Sequence, residues 1–213
     1  MTSRPAHSEQ RRQQILQAAG QVITERGICD TRIADVADVA ATSTGLILYY
    51  FESKDQLLAE ALTHAEDEFY LHVFHGISKI DDPREQLAHL ITASCPDVTG
   101  TAGVDADWTL WLELWARSLH DAEVGRKRAA LDRRWRSTIA DVVRMGQRQG
   151  VFADVNPVDF ALELAALMDG LAVQVVLDDT EVDRGRMRRI LLGQAMHRLE
   201  FTLDDTPIAA AGG

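Results

Sequence analysis

Between positions 31 and 54 of this 213-residue chain stand Thr31, Ser43, Thr44, Tyr49, Tyr50 and Lys54, a set of hydroxyls with one cation. Hydroxyl donors and a Lys point charge are groups that hold phosphate oxygens. The same stretch contains two helix starts, where free backbone N–H groups and the positive dipole end favour an anion. The chemistry on offer is a non-covalent grip on a phosphate backbone.

Three other sets could do chemistry. Trp108, Trp111 and Trp115 recur at i, i+3, i+7, with Trp135 on the next helical stretch. An indole-lined wall suits a flat apolar or cationic ligand. Glu113, Met168 and Asp169 are placed with them as candidate pocket residues, because an acid beside indoles favours a cation. Large aromatics at this spacing also fill cores, and the two readings are compatible. His64, Glu68, His72 and His75 form a stripe at helical spacing. Imidazole and carboxylate are metal ligands, but a half-solvated helix face is the reading taken, and no metal or cofactor is expected. The basic run Arg126, Lys127, Arg128, Arg133, Arg134, Arg136 is read as a solvated face paired with local acids.

The elements that position these groups are helical. Ile15, Ala18, Ala19, Val22 and Ile23 follow the helical period, and Gly27 sits where a C-terminal stop belongs. Asp30 and Thr31 can cap a second helix, 31–40. Ala41 to Thr44 is a polar break, and a short apolar run, Gly45 to Phe51, follows. Ser53 and Gln56 fit a capping box opening a long fourth helix. Asp82-Pro83-Arg84-Glu85 and Asn156-Pro157-Val158-Asp159 are further starts, each a cap followed by Pro at the first helical position. Residues 96–106 read as a loop. Residues 105–119, 123–149, 157–177 and 183–203 read as helices. No stretch alternates with period two, so no strand is expected. The expected fold is all-α, with about nine helices: a three-helix N-terminal domain (1–52), a helical effector and dimerisation domain (53–203) and a flexible tail (204–213).

Composition limits the classes. Apolar residues are 46% and charged residues 26%, the balance of a soluble globular chain. No apolar targeting segment opens the chain. The longest apolar run, 158–177, contains Asp159, Glu163, Asp169 and Gln174, which hydrocarbon does not tolerate well. A helix at a protein interface is expected there, and no membrane. Cys29 and Cys95 lack metal spacing and form at most one bridge, which fits a reducing cytoplasm. Lys and Arg number 22 against 33 Asp and Glu, a net charge of −11 that argues against a nucleic-acid partner. The excess is not uniform. Residues 1–54 hold six basic and six acidic side chains, so the whole deficit lies beyond them. Nucleophile-elbow, phosphate-loop and His-Glu-x-x-His patterns are absent, so no enzyme is expected.

The order Thr31-Arg32-Ile33-Ala34-Asp35-Val36-Ala37, Ser43-Thr44-Gly45-Leu46-Ile47-Leu48-Tyr49-Tyr50-Phe51 and Ser53-Lys54-Asp55-Gln56-Leu57-Leu58 resembles the N-terminal region of TetR-family transcriptional repressors. The matching block spans roughly residues 11 to 62. This chain has Ala41-Thr42 where the family often has Gly-Val, Thr44 where it often has Lys, and Leu46-Ile47-Leu48 where it often has Thr-Leu-Tyr. The Ser43-Thr44-Gly45-Leu46 version is similar to a branch that includes choline-responsive repressors.

The resemblance implies a helix-turn-helix. Thr31 and Arg32 would touch the phosphate backbone, and Ser43, Thr44, Gly45 and Leu46 would open the recognition helix. Gly45 would allow close backbone approach, and Leu46 would meet a thymine methyl. Tyr49, Tyr50 and Lys54 would hold phosphates, with a core position behind Phe51 as the other reading of Tyr50. It further implies a double-stranded DNA operator, a small-molecule effector, and a homodimer through 157–177 and 183–203 reading a pseudo-palindrome. Effector binding would shift the population toward a form that releases the operator, with the fourth helix as lever. The competing reading is a helical adaptor that binds only protein, which has no need of the hydroxyl- and Lys-lined stretch 31–54.

Overall fold

The computed structural model describes residues 4–95 and 108–203. The loop expected at 96–106 and the tail at 204–213 lie outside the described residues. Nine α-helices and no strand occur among the described residues: α1 Arg4–Arg26, α2 Ile33–Val39, α3 Thr44–Tyr50, α4 Lys54–Ile77, α5 Pro83–Ala93, α6 Trp108–Ser118, α7 Ala122–Arg148, α8 Pro157–Val176 and α9 Arg184–Leu199. Among them, none is long and apolar enough to cross a membrane.

Side-chain caps set most of the starts. Asp82 accepts from Arg84 N, Asn156 from Val158 N, and Asp183 from Arg186 N. Each replaces an intrahelical partner that a first-turn N–H lacks. At α4, Ser53 Oγ accepts from Gln56 N at 3.1 Å, and Gln56 Oε1 reaches back to Glu52 N at 2.8 Å. The reciprocal arm of the expected capping box thus lands one residue earlier than Ser53. Helix α1 ends at Gly27, whose φ of +78° only glycine adopts without cost. Helix α9 stops four residues before the expected Leu203. Glu200 turns left-handed, and the Phe201 ring leaves the helix to pack 5.0 Å from Phe152.

The described chain divides into two compact units. One contains residues 1–72 and 106–132, the other 73–105 and 133–213. The first has a single apolar cluster. Ile15, Ala19, Val22 and Ile23 of α1, Val36 of α2, Ile47 and Phe51 of the α3 region, Leu57, Leu58 and Leu62 of α4, and Leu110 and Leu114 of α6 all lie in it. Packing therefore runs past the boundary expected at residue 52. Burying each such side chain stabilises by about 1.5–3 kcal/mol, so the N-terminal helices draw their stability partly from α4 and α6.

In the second unit, α8 and α9 pack along each other, and Arg198 pairs with Glu163 at 3.0 Å. Arg188 Nε donates to Thr92 Oγ1, tying α9 to α5. Gln147 Nε2 donates to the carbonyls of Ala153 and Val155, which fixes the turn from α7 into α8. Gly146 leaves room for the Phe152 ring: a Cβ there would lie 2.0 Å from it.

The turn between α2 and α3 stores strain. Ala41 has φ +47°. Thr42 N donates to Ala37 O and Ala41 N to Asp38 O, the two bonds of a Schellman ending. Arg11 Nη2 donates to Ala41 O at 3.0 Å from the first helix. An L-residue here costs about 1–2 kcal/mol, and glycine returns about 0.5–1 kcal/mol of that as lost chain entropy. Ala41→Gly is therefore expected to raise the midpoint of denaturant unfolding, by up to about 1 kcal/mol, as followed by circular dichroism. A lower midpoint would show that the methyl group is needed.

Candidate nucleic-acid interface and sensor face

The reading head is built around α3, 44–50, which begins and ends one residue before the apolar run 45–51 read from the sequence. Ser43 caps it, its Oγ accepting from Leu46 N at 3.1 Å. Ile47 and Phe51 are fully buried and seat the helix on α1 and α4. Thr44, Gly45, Leu48 and Tyr49 are left exposed, and they share one face at helical spacing. Leu46 is half-buried. Leu48, half-exposed at 50%, is the apolar side chain that this face presents, and the residue-by-residue reading missed it. Its signal was the i+4 spacing from Thr44.

Gly45 is not demanded by the fold. A Cβ there would sit 3.9 Å from Ser43 Oγ, an ordinary contact. Tyr49 is 79% exposed and stands edge-on to Tyr50 at 5.4 Å. Tyr50 is half-buried against the core, and its hydroxyl accepts from Ser8 Oγ at 3.3 Å. The ring thus packs against the core, as the second reading of Tyr50 has it.

Thr31 is turned inward. It is 1% exposed, and its hydroxyl donates to Gly27 O at 2.8 Å. That bond closes the α1–α2 turn and takes Thr31 from the cap position expected of it. Arg32 is the N-cap residue instead, with its N–H donating to Asp35 Oδ2 and its side chain exposed. Asp35 also pairs with Arg26 at 2.9 Å. Lys54, the first residue of α4, lies beside the same turn, its Nζ 3.4 Å from Cys29 O. On the inner side, Arg12 pairs with Glu60 and lies over the Phe51 ring at 5.2 Å.

The sensor residues divide between the two units. On α6, the Trp108, Trp111 and Trp115 rings form a triangle with centroids 6.2, 6.2 and 6.4 Å apart. Trp135, Met168 and Asp169 belong to the other unit. Glu113 Oε1 accepts from Ile28 N at 3.2 Å, so this acid holds the α1–α2 turn. Arg117, one turn further, pairs with Asp55 at the start of α4. Helix α6 therefore carries an indole face and two polar ties to the reading head. Along the His stripe, His64 is half-buried while Glu68, His72 and His75 are exposed, and no metal-ligating cluster occurs among the described residues. In the basic run, Lys127 pairs with Glu123 and Arg128 with Asp132.

Glu66, in the middle of α4, was not anticipated. It is 4% exposed, and neither carboxyl oxygen has a hydrogen-bond partner. Burial pushes its pKa up to about 9, with Asp132 and Asp67 acting in the same direction and Arg128 against them. The sequence signal was a single acid beside Leu62, Ala65 and Phe69 on a helix's apolar side.

A short helix with its hydroxyl-bearing face exposed, seated by a second helix across a tight turn, defines a helix-turn-helix DNA-binding regulator with an attached helical sensor. Residues 15–61 match the family model for bacterial regulatory proteins of the tetR family, and residues 83–199 match that for the BetI-type transcriptional repressor, C-terminal. The HTH-type transcriptional regulator BetI of Stenotrophomonas maltophilia is 31% identical over 89% of this chain and 93% of its own length. The BetI of Burkholderia lata is 31% identical over 82% of this chain and 87% of its own. A transcriptional regulator from Saccharomonospora viridis, solved in complex with choline, superposes with a TM-score of 0.79 at 31% identity, covering 90% of this chain and 98% of that one. The chain belongs to the TetR family, with a BetI-type C-terminal region. It is a ligand-responsive, DNA-binding transcriptional repressor and not an enzyme.

A carboxyl whose folded pKa lies above its unfolded one stabilises fully below the unfolded value and loses that contribution as pH climbs toward the folded value. For Glu66 the window runs from 4.5 to about 9. Glu66→Gln is expected to match the wild type in thermal midpoint near the acid end and to exceed it increasingly toward about pH 8. Parallel melting curves across that window would refute the buried acid.

Proposed function

We propose that this repressor grips a pseudo-palindromic operator as a two-fold dimer and lets go when a small quaternary ammonium effector of the choline type enters its sensor. The observation that carries the DNA reading is the exposed face of α3. Thr44 and Tyr49 supply hydroxyls, and Leu48 offers an apolar contact suited to a thymine methyl. Gly45 supports it further, because a methyl group that the fold would accept is missing where backbone must approach a partner. Arg32 and Lys54 add positive charge beside this face, and Ser43 at its cap and the Tyr50 hydroxyl complete the phosphate contacts. Thr31 contributes by fixing the turn that carries Arg32.

The effector class is inferred from the likeness to the choline-bound regulator and from the indole face of α6. Electron-rich ring faces attract quaternary ammonium. Release follows from the same helix. A ligand that displaces the indoles shifts α6, and α6 holds the α1–α2 turn through Glu113 and the start of α4 through Arg117. The effector would then favour the form in which α3 no longer fits the groove, with a coupling set by its differential affinity.

Dimerisation is inferred from α8. Val158, Leu162, Ala166, Gly170, Gln174 and Leu177 recur at helical spacing, all exposed and all but one uncharged and apolar. Such a stripe on an exposed helix calls for cover, and a second copy of α8 with α9 supplies it. Action on DNA calls for a cytoplasmic protein.

Fluorescence anisotropy with operator DNA tests the reading head. Thr44→Ala, Lys54→Ala and Gly45→Ala are each expected to weaken binding by about tenfold, roughly 1.4 kcal/mol, with Gly45→Ala melting no lower than the wild type. Unchanged affinity in Thr44→Ala and Gly45→Ala would remove α3 from the interface. Analytical ultracentrifugation of Leu162→Glu is expected to give a monomer. A persistent dimer would place the interface elsewhere.

A further inference from the structure

A carboxyl group buried without any hydrogen bond is costly, and in a native protein it points to a group that is missing. Glu66 is such a group, with both oxygens unpartnered inside the first unit. The charged groups around it do not answer its need. Asp132 of α7 and Asp67 on its own helix are acids. Arg128 of α7, the cation that acts on it among the described residues, is already paired with Asp132 at 3.2 Å. His64, one position before Ala65 on α4, has a buried Nε2 that is also unpartnered, so it brings no bond to the carboxyl. The site is acidic, enclosed and short of one positive charge.

Resting on the reading of a quaternary ammonium effector, we propose that Glu66 is its counter-charge, and that the cation enters as the carboxyl proton leaves. In the free repressor the group is a neutral acid. When the effector binds, the O–H bond breaks, the proton passes to solvent, and the carboxylate is left facing the ammonium. The exchange of one proton for one cation leaves the net charge of the site unchanged, which keeps an unpaired ion out of a low-dielectric interior. The indoles of α6, in the same unit, supply the ring faces that hold the methyl groups. Glu113, the acid nearest the indoles in sequence, is occupied with Ile28 N, so Glu66 takes the role expected of it.

Two consequences separate this arrangement from a cation held by aromatic rings alone. Uptake of the cation releases close to one proton per site, and affinity rises about tenfold per pH unit while the free carboxyl remains protonated. Alkaline conditions therefore sensitise the repressor to its effector, and acid conditions blunt it.

The test is calorimetric titration of the full-length protein with choline chloride at about pH 6, 7 and 8, in buffers of different ionisation enthalpy. The neutral isostere 3,3-dimethylbutan-1-ol serves as the uncharged control. Wild type is expected to bind choline with proton release and to bind the neutral isostere without it. Glu66→Gln is expected to lose at least tenfold in choline affinity while binding operator as the wild type does. The proton count on the wild type stands even if the variant folds poorly. Choline affinity that is flat with pH and free of proton release, or unchanged in Glu66→Gln, overturns the role of Glu66 and leaves the effector class in place. Absence of choline binding at every pH, with operator binding intact, overturns the effector class itself.

Discussion

One apolar cluster joins the helix-turn-helix to α6, the helix that carries the indoles. Ile47 and Phe51, which seat the recognition helix, share it with Leu57, Leu58 and Leu62 of α4 and with Leu110 and Leu114 of α6. A close-packed interior does not deform by degrees; its elements move between discrete arrangements. A change in the position of α6 is therefore felt at the seat of α3 without any direct contact between ligand and DNA. The helical sensor is not an appendage to an independent DNA-binding domain. It supplies part of that domain's core.

Polar ties surround the cluster. Glu113 accepts from Ile28 N, and Arg117 pairs with Asp55, so the outer side of α6 is bound to the α1–α2 turn and the start of α4. Arg12, paired with Glu60 and lying over Phe51, binds α1 to α4 from the inside. Charge follows the same division. The first 54 residues are balanced and the remainder is acidic. An acidic body disfavours non-specific attachment to DNA.

Much of the fold was legible because helix ends are local events. Ser43, Ser53, Asp82, Asn156 and Gly27 act where their side-chain chemistry or backbone freedom predicts. The α2 start was misplaced because Thr31 found a partner in Gly27 O, a contact made only when the α1–α2 turn closes. The end of α9 was misplaced for a similar reason. Phe201 packs against Phe152, about fifty positions earlier in the chain, and that burial outweighs another turn of helix. In the reading head, the hydroxyls were identified by type, but which of them face outward was decided by how Ile47 and Phe51 are buried. That burial exposes Leu48 and Tyr49 and half-covers Leu46.

The sequence by itself determined the helical pattern, the caps, the order of the helix-turn-helix and its family likeness, since all of these depend on neighbours within a turn or two. Tertiary structure decided the assignment of the acids. Glu113, Asp169 and Glu66 are alike as letters on helices. Burial without a hydrogen bond singles out Glu66, and a bond across 85 positions of sequence commits Glu113 to the reading head. A carboxyl's role depends on which charges and dipoles surround it and how much water reaches it, and these are set by packing between segments distant in the chain.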